Sequence, residues 1–264
     1  MKLLIKIRYL GTAYCGYQVQ PRAVSVQQKL NEATRALFGY DCDIVGCSRT
    51  DSGVHANCFC ATVAKKGTGM LETALPAERI PLALSAHLPQ DISVFDAAWV
   101  PDSFHARYDV QEKEYIYRFY QSPVRNPFLE GRALQIPKAF SDDAFRQMNR
   151  AADGWLGSHD FRAYMAQGSK VVSTVRNVTV SRVEREENGV FLFRVAADGF
   201  LYNMVRIMAG TLLEVGRGRL SPEEVFRITE SGDRTAAGAT LPACGLYLNR
   251  VAYRTLSELT SPEL

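Results

Sequence analysis

From Lys2 to Leu10 the chain alternates, with Leu3, Ile5, Ile7 and Tyr9 on one side and Lys2, Lys6 and Arg8 on the other. A period of two predicts a half-buried strand. After a polar, aromatic loop over 11–18, Ser25 and Gln28 stand at capping-box spacing. Val26, Leu30, Ala33 and Leu37 then recur at helical intervals, which predicts a helix to about Phe38 with Gly39 as its stop. Asp43 to Cys47 and Cys58 to Val63 read as strands. Pro76 to His87 reads as a helix that Pro81 either kinks or starts, and Ile92 to Val100 as a closing strand.

That order, β-α-β-β-α-β, is the split unit of ferredoxin-like folds, in which two helices cover one face of an antiparallel sheet. The second half repeats the pattern. Tyr115, Tyr117 and Phe119 alternate with Glu114, Ile116 and Arg118 in a strand over Glu112 to Gln121. Helical spacing returns at Phe145, Met148, Ala152 and Leu156 after Ser141, and strands over Thr174 to Glu186 and Val190 to Ala197 flank the hairpin signal Asn188-Gly189. Leu201 to Val215 is apolar nearly all round, Ser221-Pro222-Glu223-Glu224 combines cap, first-turn proline and capping box, and Leu246 to Tyr253 is the last strand. The expectation is an α+β protein of two ferredoxin-like halves, 1–104 and 105–264, with no Pro/Gly/Ser-rich linker. The halves would form one extended, mainly antiparallel sheet with helices on one face and a cleft between them.

Composition narrows the class. The 264 residues are 47% hydrophobic and 22% charged, which excludes a disordered chain. Lys plus Arg exceeds Asp plus Glu by 31 to 28, so charge alone names no partner. Six scattered cysteines without a CxxC pair point to a reducing, cytoplasmic setting. Lys6 interrupts the N-terminal apolar run before a signal core forms, and no stretch approaches the roughly 18 apolar residues of a membrane helix.

The densest polar constellation is Arg49-Thr50-Asp51-Ser52-Gly53-Val54-His55-Ala56, between the second and third predicted strands. A carboxylate beside Arg49 is expected to stay ionised, which suits a nucleophile or base; an Asx-turn before Ser52-Gly53 is the structural alternative. His55, Cys58 and Cys60 make a poor zinc set, because structural zinc takes four ligands and no second pair exists. Gly216-Arg217-Gly218-Arg219 is a compact basic turn suited either to phosphates or to plain solvation.

The string Arg49 to Ala56 resembles the active-site motif of the tRNA pseudouridine synthase A family, close to RTDxGVHx. Further similar segments follow in order: Tyr9-Leu10-Gly11, Gly16-Tyr17-Gln18, Ser25-Val26-Gln27, Leu88 to Ile92, Phe104-His105-Ala106-Arg107, Tyr115 to Arg118, Asn203 to Gly210 and Gly245 to Leu248. The first loop departs from the pattern at Leu10 and Tyr17, where many members carry Asp and Trp. The resemblance implies a cofactor-free isomerase that detaches uracil at N1 and rejoins it through C5, acting on the tRNA anticodon stem-loop around positions 38–40. It implies Asp51 as catalytic carboxylate, Arg206 as its pair, Tyr115 stacked on the target base, Arg49 holding the flipped nucleotide, and a homodimer spanned by one tRNA. His105, Arg217 and Arg219 are candidate RNA contacts. The rival readings are a non-catalytic RNA-binding platform, which would not need Asp51, and a metal-dependent hydrolase, which the ligand set disfavours.

Overall fold

The computed structural model describes residues 1–168, 171–186 and 189–254. The first six regular elements follow the predicted order: β1 (Lys2–Tyr9), α1 (Val26–Phe38), β2 (Cys42–Gly46), β3 (His55–Lys65), α2 (Ile80–Ser85) and β4 (Ile92–Val100). Strand β1 lies between β3 and β4, with β2 on the far side of β3, all antiparallel. This is the split unit that the pattern predicted. Ser25 accepts the Gln28 N–H at the start of α1, and Gly39, at φ 77°, ends it in the left-handed conformation that favours glycine. Helix α2 is shorter than expected, because residues 77–79 form a tighter 3-10 turn and Pro81 falls in the first turn.

Strand β1 is not half-buried. Both of its faces are covered from Leu3 to Ile7, because Leu4 is buried and Lys6 is sunk to 7% exposure with its ammonium 2.9 Å from Asp96. A lysine reads as a solvent-facing residue in a periodicity argument. Here its apolar stem packs inward and its charge is paired.

The later elements are β5 (Val110–Gln121), β6 (Leu134–Ile136), α3 (Asp142–Asp153), β7 (Gly157–Asp160), β8 (Val175–Arg185), β9 (Val190–Ala197), α4 (Met204–Gly216), α5 (Pro222–Ser231) and β10 (Leu246–Tyr253). The order β5-β9-β8-β7 is antiparallel, with β6 parallel to β5. Strands β6 and β7, of three and four residues, are too short for a period to register. Helix α3 packs on α4, α5 and β8, over a core in which Trp155, Phe161, Tyr164 and Phe193 are fully buried. The start of α4 lies three residues later than Leu201, at Met204, because Asn203 takes a left-handed conformation at φ 59°. Of the predicted hairpin, Glu187 and Asn188 lie outside the described residues; Glu186 N–H donates to the Val190 carbonyl at 2.8 Å.

The fold is mixed α+β, in two compact units. Among the described residues, one comprises 1–111 together with 248–254, and the other Glu112–Tyr247. These differ from the division at 104/105. Segment 105–111 stays with the first unit, and the end of β10 returns to it. The Tyr253 hydroxyl donates to the Ala106 carbonyl at 2.7 Å, the Phe104 and Tyr253 rings lie 5.0 Å apart, and Asn57 donates to Asn249 at 2.7 Å. Among the described residues no helix is long and apolar enough to cross a membrane.

Helix α5 starts with a complete capping box, the Ser221 hydroxyl accepting from Glu224 N–H and the Glu224 carboxylate accepting from Ser221 N–H. Ser221→Ala should lower the unfolding free energy in urea by about 1 kcal/mol without changing the slope of the transition.

Candidate active site

The loop from β2 to β3 carries Arg49 and Asp51, and a second loop, residues 10–17 after β1, holds it in place. At two points the loops touch backbone to backbone. A Cβ on Gly11 would fall 2.0 Å from the Val54 carbonyl oxygen, and one on Gly16, which sits at φ 81°, 2.5 Å from that of Thr50. Only glycine fits. Hydrogen bonds then fix the register: Tyr17 N–H donates to the Thr50 carbonyl (3.1 Å), Gly53 N–H to the Tyr14 carbonyl (3.3 Å), and the Tyr9 hydroxyl bonds Thr50 Oγ1 (2.8 Å).

His55, wholly buried, accepts the Gly11 N–H at Nδ1 over 2.9 Å. An accepting ring nitrogen carries no proton, so this imidazole is neutral with its hydrogen on Nε2. The Asp51 carbonyl accepts from Val54 N–H at 3.2 Å, which makes a turn through Gly53 at φ 79° and leaves the Asp51 side chain half-buried on a clamped loop. Tyr14 ties the assembly to the start of β4, donating to Asp91 at 2.6 Å while Leu10 N–H donates to the Asp91 carbonyl at 2.9 Å. Burial, reinforced by Asp91, pushes the Tyr14 phenol above its ordinary range.

Arg49 also borders a cavity of about 250 Å³ in the same unit, shared with Tyr17, His105, Arg107 and Tyr108. The turn that carries the last three is internally braced. His105 Nδ1 accepts from the N–H groups of Arg107 (3.1 Å) and Tyr108 (3.3 Å), and His105 N–H donates to Asp109 (2.8 Å). The Tyr17 ring stacks on Phe59 with centroids 4.2 Å apart, and its buried hydroxyl finds no hydrogen-bond partner among the described residues. Burial raises the Tyr17 pKa, so the hydroxyl stays protonated.

No group of three or more His, Cys, Asp or Glu among the described residues could hold an ion. Cys58 and Cys60 share a hydrogen bond that lowers the Cys58 pKa, helped by the charges of Lys6 and Arg8, and raises that of Cys60.

The remaining predicted site residues lie in the other unit. Tyr115, on β5, is 7% exposed with its ring edge-on to Phe200 at 5.0 Å. Arg206, half-buried in the first turns of α4, donates from Nε to the Leu241 carbonyl (2.6 Å) and from Nη1 to Asn203 Oδ1 (2.7 Å). Arg217 and Arg219, just past α4, both close on the Glu214 carboxylate, Arg217 at 2.8 Å. Arg49 and His105 therefore share one cavity, and Arg217 and Arg219 one ion pair. Sequence reasoning left Arg107, Tyr108 and the Tyr17 hydroxyl without a role. The run His105-Ala106-Arg107-Tyr108, cation beside aromatic, was the signal available for them.

A family model described as tRNA pseudouridine synthase matches residues 5–109 and 151–254. The chain is 41% identical over 251 residues to the tRNA pseudouridine synthase A of Thermoanaerobacter sp. (strain X514), covering 95% of this chain and 99% of that one. It is 39% identical, with the same coverage, to that of Caldicellulosiruptor bescii. Among solved structures, a Cbf5-Nop10-Gar1 complex aligns over 81% of this chain and 44% of its own at 11% identity and a TM-score of 0.34, too weak a likeness to inform the fold.

The clamp makes a specific demand of His55. His55→Leu should cost about 1–3 kcal/mol of stability by orphaning the Gly11 N–H, and should speed amide exchange at Gly11 and Tyr17. His55→Asn keeps an acceptor near the Nδ1 position and should restore slow exchange at Gly11.

Proposed function

Because the chain belongs to the tRNA pseudouridine synthase family, we propose that it isomerises uridine to pseudouridine in tRNA, in the anticodon stem-loop around positions 38–40. The observation that carries this is the Arg49–Ala56 motif itself, built around a carboxylate on a loop held by glycine contacts and a neutral buried histidine. A base inside a stem cannot present its glycosidic bond until it leaves the stack, so the reaction needs a fixed carboxylate, an aromatic platform and a cation for the flipped nucleotide.

In this reading Asp51 is the catalytic carboxylate. The N1–C1′ bond breaks, the uracil turns, and C5 bonds to C1′; the C5 proton leaves and N1 ends protonated, so the product is an isomer. Asp51 acts either by attack on C1′ or the ring, or by taking a ribose proton to give a glycal. Both routes need it ionised. Tyr115 stacks on the target base and takes part in removing the C5 proton, Arg206 pairs with Asp51, Arg49 holds the nucleotide, and His105, Arg217 and Arg219 contact RNA. The chain works in the cytoplasm, which its free cysteines suit, and as a homodimer, on family likeness. A purely RNA-binding role would leave the clamped carboxylate without a task.

Mapping pseudouridine in tRNA transcripts after incubation with the purified protein tests the reading directly. Conversion at a discrete anticodon stem-loop uridine is the expected result, and its absence would reject the assignment. Asp51→Ala should drop turnover to background while RNA affinity stays within about twofold, since the side chain's task is chemical.

Tyr115 separates ring from hydroxyl. Tyr115→Ala should lower kcat/KM by about 10–100-fold, the equivalent of one lost base–aromatic stack. Tyr115→Phe should keep affinity and slow tritium release from C5. Unchanged turnover in both would return Tyr115 to an ordinary strand tyrosine.

A further inference from the structure

The cavity beside Arg49 has features that the reaction itself does not use. Tyr17, one of its lining residues, is only 2% exposed and carries a hydroxyl with no hydrogen-bond partner among the described residues. A buried hydroxyl without a partner carries a desolvation penalty that folded proteins seldom leave unmet. The ring cannot turn away, since it is stacked on Phe59 and a Cβ on Gly46 would come within 2.5 Å of it. The hydroxyl is therefore held in place, protonated, on a residue that lines the cavity.

The rest of the lining has one chemical bias. Arg49 and Arg107 contribute cations, and neither has an ion-pair partner among the described residues. The His105 Nδ1 is occupied by two backbone donors, so the neutral ring offers Nε2–H. No acidic side chain lines the space. Tyr108, 75% exposed, lies tilted by 31° against His105 with ring centroids 4.3 Å apart, and the Arg107 guanidinium lies 5.8 Å from the Tyr108 centroid. A rigid exposed aromatic next to unpaired arginines is how proteins hold a single-stranded nucleotide. At about 250 Å³ the space is smaller than the ~300–1,000 Å³ sites that enclose whole drug-sized ligands, so it takes one base and not a run of them.

We propose that this cavity binds a second nucleotide of the same RNA, a neighbour of the target uridine that is not chemically altered. Its base stacks on Tyr108, its phosphate meets Arg49 and Arg107, and a polar atom of the nucleotide bonds the Tyr17 hydroxyl. This subsite rests on the uridine-isomerase reading and adds to it a means of holding the strand in register while the target leaves the stack.

The test uses the full-length protein, an anticodon stem-loop RNA carrying the target uridine, and the same RNA with one base at a time removed on either side of the target. Equilibrium binding and pseudouridine formation are measured in parallel. Tyr17→Phe deletes only the oxygen. It should raise Kd and KM about three- to tenfold with kcat within about twofold, while the thermal midpoint stays level or rises, because the unmet hydroxyl is gone. A hydroxyl with a purely structural task would lower the midpoint and leave KM alone. Tyr108→Leu should weaken binding about tenfold, with Tyr108→Phe restoring it, and the Tyr108→Leu penalty should vanish on the one RNA that lacks the neighbouring base.

The subsite is overturned if Tyr17→Phe and Tyr108→Leu both bind RNA as the wild type does, or if the Tyr108→Leu penalty persists on every abasic RNA. Wild-type protein that binds this RNA but forms no pseudouridine would reject the isomerase reading instead, and the binding arm would still decide the subsite.

Discussion

The contact between the Gly11 N–H and His55 Nδ1 is the constraint on which the site depends. It brings two loops to backbone contact, which is possible only because positions 11 and 16 have no side chain. Once the loops meet, Thr50 is held from both sides, the turn through Gly53 is set, and Asp51 stands on a segment pinned through the Thr50 and Asp51 carbonyls and the Gly53 and Val54 N–H groups. A neutral imidazole suits this task better than a charged one, since it accepts a backbone hydrogen without bringing a full charge into an apolar interior.

Pairing, more than net charge, determines where this chain can meet a polyanion. A surplus of three positive charges is spread over 31 cations, and many of them are already committed. Arg194 is shared by Glu114 and Glu184, Arg118 is held by Glu186, and Arg217 and Arg219 close on Glu214. A cation with a carboxylate within bonding distance gains less from a phosphate, because the new contact displaces an old one. Arg49 and Arg107 face no such competition among the described residues, and both border one cavity. The Arg217/Arg219 turn, which in sequence suits either phosphates or plain solvation, has its charge met by Glu214 one helical turn earlier.

Local chemistry was legible in the sequence wherever it is written within a few residues. The serine caps at 25, 141 and 221 start their helices where predicted, since a cap and its partner N–H are three positions apart. The Asp51 loop was legible for the same reason. Features that need a partner far along the chain were not. Lys6 is buried because Asp96 is there to meet it, and residues 105–111 join the first unit because Tyr253, nearly 150 positions from Ala106, bonds that turn. The Tyr17 hydroxyl could not have been noticed at all, for an unmet hydrogen bond is defined by what surrounds it in three dimensions.

On the role proposed for Asp51, the bracing of its loop matches what an isomerisation asks of a protein. No group is lost, so the base must separate from the sugar, turn and return, and the catalyst must stay still while its substrate moves. A carboxylate on a loose loop would follow the departing fragment and spend its advantage on reorganisation. The chain places Asp51 on a short connection between β2 and β3 and braces it against a second loop. Holding the neighbouring nucleotide in a separate cavity meets the same need from the substrate's side: with the strand fixed at a base that does not react, the reacting base alone is free to turn.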